Sequence, residues 1–313
     1  MKAIRLHAFG GPENLTLEEV ETPSLQPGEV LIRNRAAGVN PIDWKTCSGG
    51  GASGAIGELP FIPGWECAGT ITAVGPGVTA YKPGDEVFGL LRFPAPAGCY
   101  AQYVAAPAEQ IALRPAELDP SAAGGLGLAG LTAWQALHDK AQLQAGQRVL
   151  ILAAAGGVGH LAVQLAKAAG AYVIGSASGH NQAFLQTLGC DETLDYSATP
   201  PAQAISNVDI IIDGVGGAAA IDALSCLKPG GLIVTLPSVT AAEVSAAAEQ
   251  AGYRALGIRV EPNGEQLAHL ASLVTAQQLT LSVAEVRPLA QAADAFRLSA
   301  SGHQRGKIVL QID

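Results

Sequence analysis

Charge is scarce in this sequence. Asp, Glu, Lys and Arg make up 14% of its 313 residues, against roughly a quarter in ordinary soluble domains. What charge there is leans acidic, with 18 Lys and Arg against 27 Asp and Glu, a net −9. Binding nucleic acid requires a basic face. No stretch of this chain clusters Lys and Arg, so no nucleic-acid partner is expected. The same acidity argues against anionic membrane surfaces. Aromatics are thin at 5%, which turns attention from aromatic surfaces to backbone geometry. The cysteines, at 47, 67, 99, 190 and 226, are odd in number and no two lie within four positions. That excludes a disulfide framework and a local zinc knuckle, and suits a reducing cytoplasm. The start, MKAIRLHAFGGPENL, has neither the apolar core nor the small-residue cleavage site of a secretory signal. The longest weakly polar stretch, residues 149–171, contains Gly156, Gly157, His160, Gln164 and Lys167. It also changes period halfway, so it reads as a buried strand followed by a helix and not as a membrane span.

Apolar residues, by contrast, reach 49%, and there are 38 glycines. The chain can bury a core, and its length predicts two domains. Residues 1–115 read as short strands, several alternating with period two. They are divided by turns such as Gln26-Pro27-Gly28-Glu29 and Lys82-Pro83-Gly84-Asp85, a pattern that suggests a barrel or rolled sheet. The Gly-rich stretch 48–60 has no period; it is either a flexible loop over a cleft or a tolerated surface insertion. From about residue 120 helical and apolar strand segments alternate. RVLILAA, YVIGSA, VDIIID and GLIVTLP are the strands, and βαβ units with a parallel sheet are expected. Helices are expected over EQLAHLASLVTAQQL and LAQAADAFRLSASG, with a last strand GKIVLQI.

Between RVLILAA and the next helix lies Ala153-Ala154-Ala155-Gly156-Gly157-Val158-Gly159. Glycines in a strand–helix turn let the backbone approach a pyrophosphate, and the helix start offers it free N–H groups. Ala155, Gly156, Gly157, Val158 and Gly159 are therefore the expected phosphate cradle. An NAD site usually ends its second strand with an acid that bonds the ribose 2′-OH. Here no acid occurs between Gly159 and Asp191, and the strand runs into Ser176, Ser178, His180 and Asn181. These four can donate to a 2′-phosphate, so NADP(H) is the expected cofactor, although no Lys or Arg stands among them.

The chain resembles the zinc-less medium-chain dehydrogenases/reductases of the quinone oxidoreductase (zeta-crystallin) type. The resemblance runs through AAGVNPIDWK, PGWECAGTITAVGPGVTAYKPGDEVFG, AGLTAWQAL, AAAGGVGHLAVQLAKAAGA, VDIIIDGVGG, LKPGG and the terminal GHQRGKIVL. It implies an α/β fold in two domains. A GroES-like β-barrel catalytic domain is formed by both chain ends (1–120 and 259–313), around an inserted Rossmann domain (121–258). It also implies NADPH-dependent hydride transfer to quinones or α,β-unsaturated carbonyl compounds, and a homodimer. Where the zinc alcohol dehydrogenases carry a catalytic Cys this chain has Val39 or Asn40, and Trp65-Glu66 stands in place of their His-Glu. Zinc needs three or four placed thiolates or imidazoles, so no metal is expected.

By the same resemblance VNPIDWK borders the nicotinamide. Asn40 is the candidate hydrogen-bond donor to cofactor or substrate oxygen, and Lys45 either steadies developing negative charge or is a solvated loop charge. Asp43 either orients Lys45 or is structural. The hydroxyl of Thr132 either faces the nicotinamide end or bonds its own helix backbone, and Tyr196 either borders the adenosine phosphate or is a simple packing tyrosine. Val215-Gly216 admits the nicotinamide ribose, and Lys307 returns to the cleft either as a cofactor contact or without one. Asp213 is either a capping acid or part of that turn. The dimer is expected across residues 231–239, as the edge strand of the parallel sheet. Two other readings fit the same motifs. An enoyl-thioester reductase would need a long acyl channel and basic residues for a carrier. A non-catalytic NADPH-binding protein would serve as a structural or redox-sensing partner.

Overall fold

The computed structural model describes every residue except His303, which lies within the terminal GHQRGKIVL. The chain forms two units: residues 1–131, 261–277 and 281–313 make the first, and residues 132–260 with 278–280 the second.

The first unit opens with an antiparallel pair, β1 (Lys2–Leu6) and β2 (Leu15–Glu19). Its organising element is the eleven-residue β3 (Glu29–Val39), followed by helix α1 (Pro41–Cys47), β4 (Glu66–Val74), β5 (Glu86–Leu90), β6 (Tyr103–Pro107) and β7 (Ile111–Leu113). Helix α2 (Pro120–Trp134) contains the boundary between the units. The second unit continues with β8 (Arg148–Ile151), α3 (Gly159–Ala168), β9 (Tyr172–Ala177), α4 (Gln182–Thr187), β10 (Glu192–Asp195) and α5 (Pro201–Ala204). Then come β11 (Val208–Asp213), α6 (Gly217–Ala223), β12 (Leu227–Thr235), α7 (Ala241–Gln250) and β13 (Arg254–Gly257). The chain re-enters the first unit with α8 (Gly264–Thr275), β14 (Val283–Pro288), α9 (Ala292–Ala300) and β15 (Lys307–Gln311).

β3 is long enough to serve three partners. β4 pairs along it between Val30 and Ala36, β6 takes Glu29–Arg33, and β15 takes Ala36–Val39. The last strand of the chain thus hydrogen-bonds to the third, so both chain ends build one sheet, ordered β14-β15-β3-β4-β5-β7 with β6 on β3. Register shifts in β3–β4 at Leu31/Ile32 and Asn34/Ala36 mark the irregularities that bend a strand in a rolled sheet.

The second unit holds a parallel sheet ordered β10-β9-β8-β11-β12-β13. Val149, Leu150, Ile151, Val173, Ile211, Ile233 and Val234 are buried, as strands covered on both faces must be. The strand order is the doubly wound one, with β8 at the centre where the winding reverses.

The structure corrects one expectation here. Residues 231–239 are not at the sheet edge, because β13 pairs parallel to β12 along Leu232–Thr235. The Ala-rich segment after Thr240 forms α7, whose Val244 and Ala248 join the cluster containing Leu150, Ile211 and Ile233. This adds one more αβ unit than the apolar runs alone indicate. β12 begins at Leu227, so Lys228 and Pro229 belong to the strand. Among the described residues no helix is long and apolar enough to cross a membrane.

Candidate active site

Each unit carries its own cluster of candidate residues. In the second unit these gather at the carboxyl ends of the parallel strands, the edge where such sheets bind ligands. β8 leads into the glycine turn, and Ala154 N donates to Ser176 O at 2.9 Å, tying that turn to β9. Gly159 begins α3 because nothing larger fits. A Cβ there would lie 2.2 Å from Ala153 O and 2.8 Å from Ala154 Cα. Among the described residues no acceptor takes the N–H groups of Ala155, Gly157 or Val158. Unpaired donors at the start of a ten-residue helix are the arrangement a pyrophosphate satisfies, so the turn fits a dinucleotide. His160, fully buried, turns its Nδ1 to Gly156 O at 2.8 Å and braces the turn.

At the end of β9, Ser176 is buried within the strand. Beyond it Ser178, His180 and Asn181 form one hydrogen-bonded group. Asn181 Nδ2 donates to Ser178 Oγ at 3.0 Å and lies 3.2 Å from His180 Nε2, while Ser178 Oγ is 3.3 Å from His180 Nδ1. Tyr196 follows β10 and is half exposed. Sequence reasoning finds no acid near this group, but the sheet supplies one. Asp195 is the register partner of Ala177, and its Oδ2 stands 2.5 Å from where a Cβ on Gly179 would be. The hydroxyl of Ser197, together with backbone N–H groups and the nearby His180, holds the Asp195 carboxyl below its ordinary range.

At the end of β11, Asp213 is fully buried. Its Oδ1 accepts from the N–H groups of Val215 and Gly216, both at 2.8 Å, and its Oδ2 accepts from Thr235 Oγ1 at 2.7 Å. Asp213 therefore shapes the turn. Gly216 needs its hydrogen side chain there, with φ of 80° and Thr240 Oγ1 2.2 Å from a Cβ position. Val215 is half exposed and Thr132 is buried on α2.

In the first unit the candidates lie where β3 turns into α1. Asn40 precedes the helix, and Pro41 takes its first position, where a missing N–H costs nothing. Asp43 reaches back, and its Oδ2 accepts from Asn40 N at 2.6 Å and from the Tyr100 hydroxyl at 2.9 Å. Its Oδ1 has no hydrogen-bond partner. Burial drives the Asp43 carboxyl up to about 7, against the lowering effect of Asn40 N–H and Tyr100. Lys45 points elsewhere: its ammonium lies over the Trp44 ring, 5.4 Å from the centroid.

The structure does unite Asn40 with Lys307, through a third residue. Asn40 Nδ2 donates to Glu66 Oε1 at 2.7 Å. Lys307 Nζ donates to Glu66 Oε1 at 3.0 Å, to Val39 O at 3.4 Å and to Asn40 Oδ1. An ammonium has three N–H donors, and here three protein oxygens meet them. Glu66 Oε2 accepts from Leu128 N at 2.7 Å. All three side chains are buried. Glu66 needs Gly38 opposite it, since a Cβ there would sit 2.0 Å from Oε1. Cys47 and Cys67 are buried near this cluster in sequence, and burial pushes the Cys47 thiol above its ordinary range. Among the described residues no group of three or more His, Cys, Asp or Glu is placed to hold a metal.

Two family profiles match the chain: an alcohol dehydrogenase GroES-like domain over residues 26–116 and a zinc-binding dehydrogenase domain over residues 188–310. The chain is 34% identical to a 2-haloacrylate reductase of a Burkholderia species, over 97% of each chain. It is 31% identical to a chloroplastic quinone-oxidoreductase homolog of Spinacia oleracea, over 99% of this chain and 98% of that one. Among solved structures, the quinone oxidoreductase from Coxiella burnetii matches with a TM-score of 0.95 and 39% identity, over 100% of this chain and 99% of that one. A full-length match of this kind, on a GroES-like unit joined to a doubly wound sheet, is decisive. The chain belongs to the quinone oxidoreductase-like medium-chain dehydrogenases/reductases, oxidoreductases that use a nicotinamide cofactor.

Proposed function

We propose that this protein is an NADPH-dependent, zinc-independent reductase of quinones or α,β-unsaturated carbonyl compounds. One observation carries the reading. The oxygens of Val39, Asn40 and Glu66 converge on a point filled by the Lys307 ammonium. A cation supplied by the chain itself neutralises Glu66 and occupies the acceptors that a divalent ion would need. Without a Lewis acid to polarise a simple carbonyl, the acceptor must be electrophilic already, as a conjugated carbonyl or quinone is.

When bound, the reduced nicotinamide supplies the hydride. The chain's residues manage the negative charge that hydride addition creates, and solvent supplies the proton. Hydride added at the β-carbon pushes the electron pair onto the carbonyl oxygen, and a proton completes the reduction. One Asn40 Nδ2 hydrogen goes to Glu66; the other is the donor assigned to that oxygen. Lys307 is a positioning residue, because it grips Asn40 Oδ1 and so sets which way the amide faces; Lys45, turned over the Trp44 ring, takes no part in this reading. Thr132, Val215 and Gly216 are assigned to the nicotinamide end. The glycine turn takes the pyrophosphate, and Ser176, Ser178, His180, Asn181 and Tyr196 take the adenosine 2′-phosphate. A homodimer and a reducing, cytoplasmic setting complete the reading; five free thiols suit the latter. The relatives lend it support, since their names include quinone oxidoreductase, alkenal/one oxidoreductase and 2-haloacrylate reductase.

Stopped-flow measurement of NADPH oxidation against quinones, enones, enals, an enoyl thioester and simple ketones tests it, before and after dialysis against a strong chelator. Turnover should appear with the conjugated acceptors, be absent with simple ketones, and survive chelation. Activity that is lost on chelation and restored by zinc overturns the metal reading, and inertness toward every conjugated acceptor overturns the function.

A further inference from the structure

Cofactor choice in this chain rests on an unusual balance of charge. The ion-paired cations of the second unit stand at the amino ends of the strands, away from the ligand edge. Arg148, at the start of β8, pairs with Glu192 at 3.3 Å. Lys228 pairs with Asp209, and Lys167 with Asp191 at 2.7 Å. No Lys or Arg occurs between residues 168 and 227, the span that includes the end of β9, where the ribose 2′ position falls. Within that span His180 is the one side chain that can carry positive charge, and it is exposed. Its ring nitrogens meet Ser178 and Asn181, and the Asp195 carboxylate lies beside the preceding residue, its Oδ2 2.5 Å from a Cβ position on Gly179, with Asp195 in register with Ala177 at the β9–β10 ends. Tyr196, next in the chain to Asp195, is the other titratable side chain at these strand ends.

We infer that His180 and Asp195 make the preference for NADPH over NADH depend on pH, with the protonated imidazole as the partner of the 2′-phosphate. This rests on the reading of the glycine turn as a dinucleotide site. Histidine is the side chain that ordinarily changes charge between about pH 5 and 8. When protonated, the ring offers N–H donors and a positive charge to the phosphate, and it offsets Asp195. When the proton leaves, only neutral donors remain, and the Asp195 carboxylate faces the phosphate uncompensated. NADH, which bears a 2′-hydroxyl, feels neither change strongly. The phosphate monoester itself gains charge as pH rises through about 6, and His180→Gln, which keeps that ionisation and Asp195, separates the two contributions.

Titration calorimetry with NADPH and with NADH from pH 6 to pH 8.5 tests this on the intact protein. NADPH affinity should fall about tenfold across that range while NADH affinity stays nearly level. In His180→Gln the fall should disappear, with affinity low throughout. His180→Lys should bind NADPH tightly at both ends of the range. Asp195→Asn should strengthen NADPH binding several-fold at pH 8.5. His180 is exposed and Asp195 partly so, so thermal melting should confirm folded variants. An NADPH preference that His180→Gln leaves with an unchanged pH profile overturns the inference alone. NADPH binding no tighter than NADH at pH 6 overturns the NADP(H) reading and the inference together.

Discussion

Asp43 shows what a single buried side chain does when its partners are few. The residue is fully buried, one oxygen is unpartnered, and its carboxyl titrates at about 7 against an ordinary 3.8. Below about pH 4 the group is protonated in folded and unfolded chains alike. Between pH 4 and 7 the folded chain keeps a proton that the unfolded chain has released, so stability falls as pH rises, by at most about 1.4 kcal/mol per pH unit. Above about 7 the loss is complete. Asp43→Asn removes the titration, so its urea-unfolding free energy should decline less than the parent's between pH 5 and 8.5. Equal declines would show that Asp43 does not titrate in this window. The sequence made Asp43 visible and left a structural role open for it, but it did not show its partner, because the Tyr100 hydroxyl that donates to it lies 57 positions away in the chain. Glu66 was legible only as a failed metal ligand; its bond to Lys307 spans 241 positions.

At the scale of elements, the glycine turn was the most legible part of the molecule. Strand, turn and helix are contiguous, and each is dictated by local rules of periodicity and backbone freedom. The turn's demand on Gly159 is steric and severe, since its Cβ site is filled by backbone atoms that cannot rotate away. Gly159→Ala should therefore shift the turn, misalign the N–H donors and weaken NADPH binding by tenfold or more in titration calorimetry. Gly54→Ala, where a Cβ meets nothing within 4 Å, should leave binding unchanged and serves as the control. Wild-type affinity in Gly159→Ala would refute the cradle. The segment after β12 was less legible. Its helix, α7, is Ala-rich and weakly patterned, and β13 is four residues with an exposed, half-buried, half-buried, exposed profile. Short edge strands lack the apolar run that announces a buried one.

For the whole molecule, that short strand is the edge at which the proposed dimer is expected to form. β12 is sheathed by α7 and β13, so the open edge of the parallel sheet at this end is β13. Ile258 N donates to Thr235 O, and parallel pairing alternates, so the Ala255 and Gly257 N–H groups point outward. An exposed edge is a template for pairing, and two identical edges close on each other about a two-fold axis. Light scattering should give twice the 31.7 kDa of one chain, and Ala255→Pro should shift it toward the monomer by removing one outward donor. A monomeric parent would reject the dimer, and an unaffected dimer would move the interface away from β13.

The order of apolar runs, turns and helices by itself determined the fold class, the two-part organisation, the glycine turn between β8 and α3 and the family resemblance. All of these are properties of contiguous segments, whose patterns are set by neighbours a few residues away. Only the tertiary structure decided what the charged and polar side chains do. It brought Lys307 from the far end of the chain to Asn40 and Glu66, turned Asp43 toward Tyr100 instead of Lys45, and set Asp195 beside His180 by aligning β10 with β9. A buried charge is stable only against a partner, and strand pairing, which disregards distance along the chain, selects that partner.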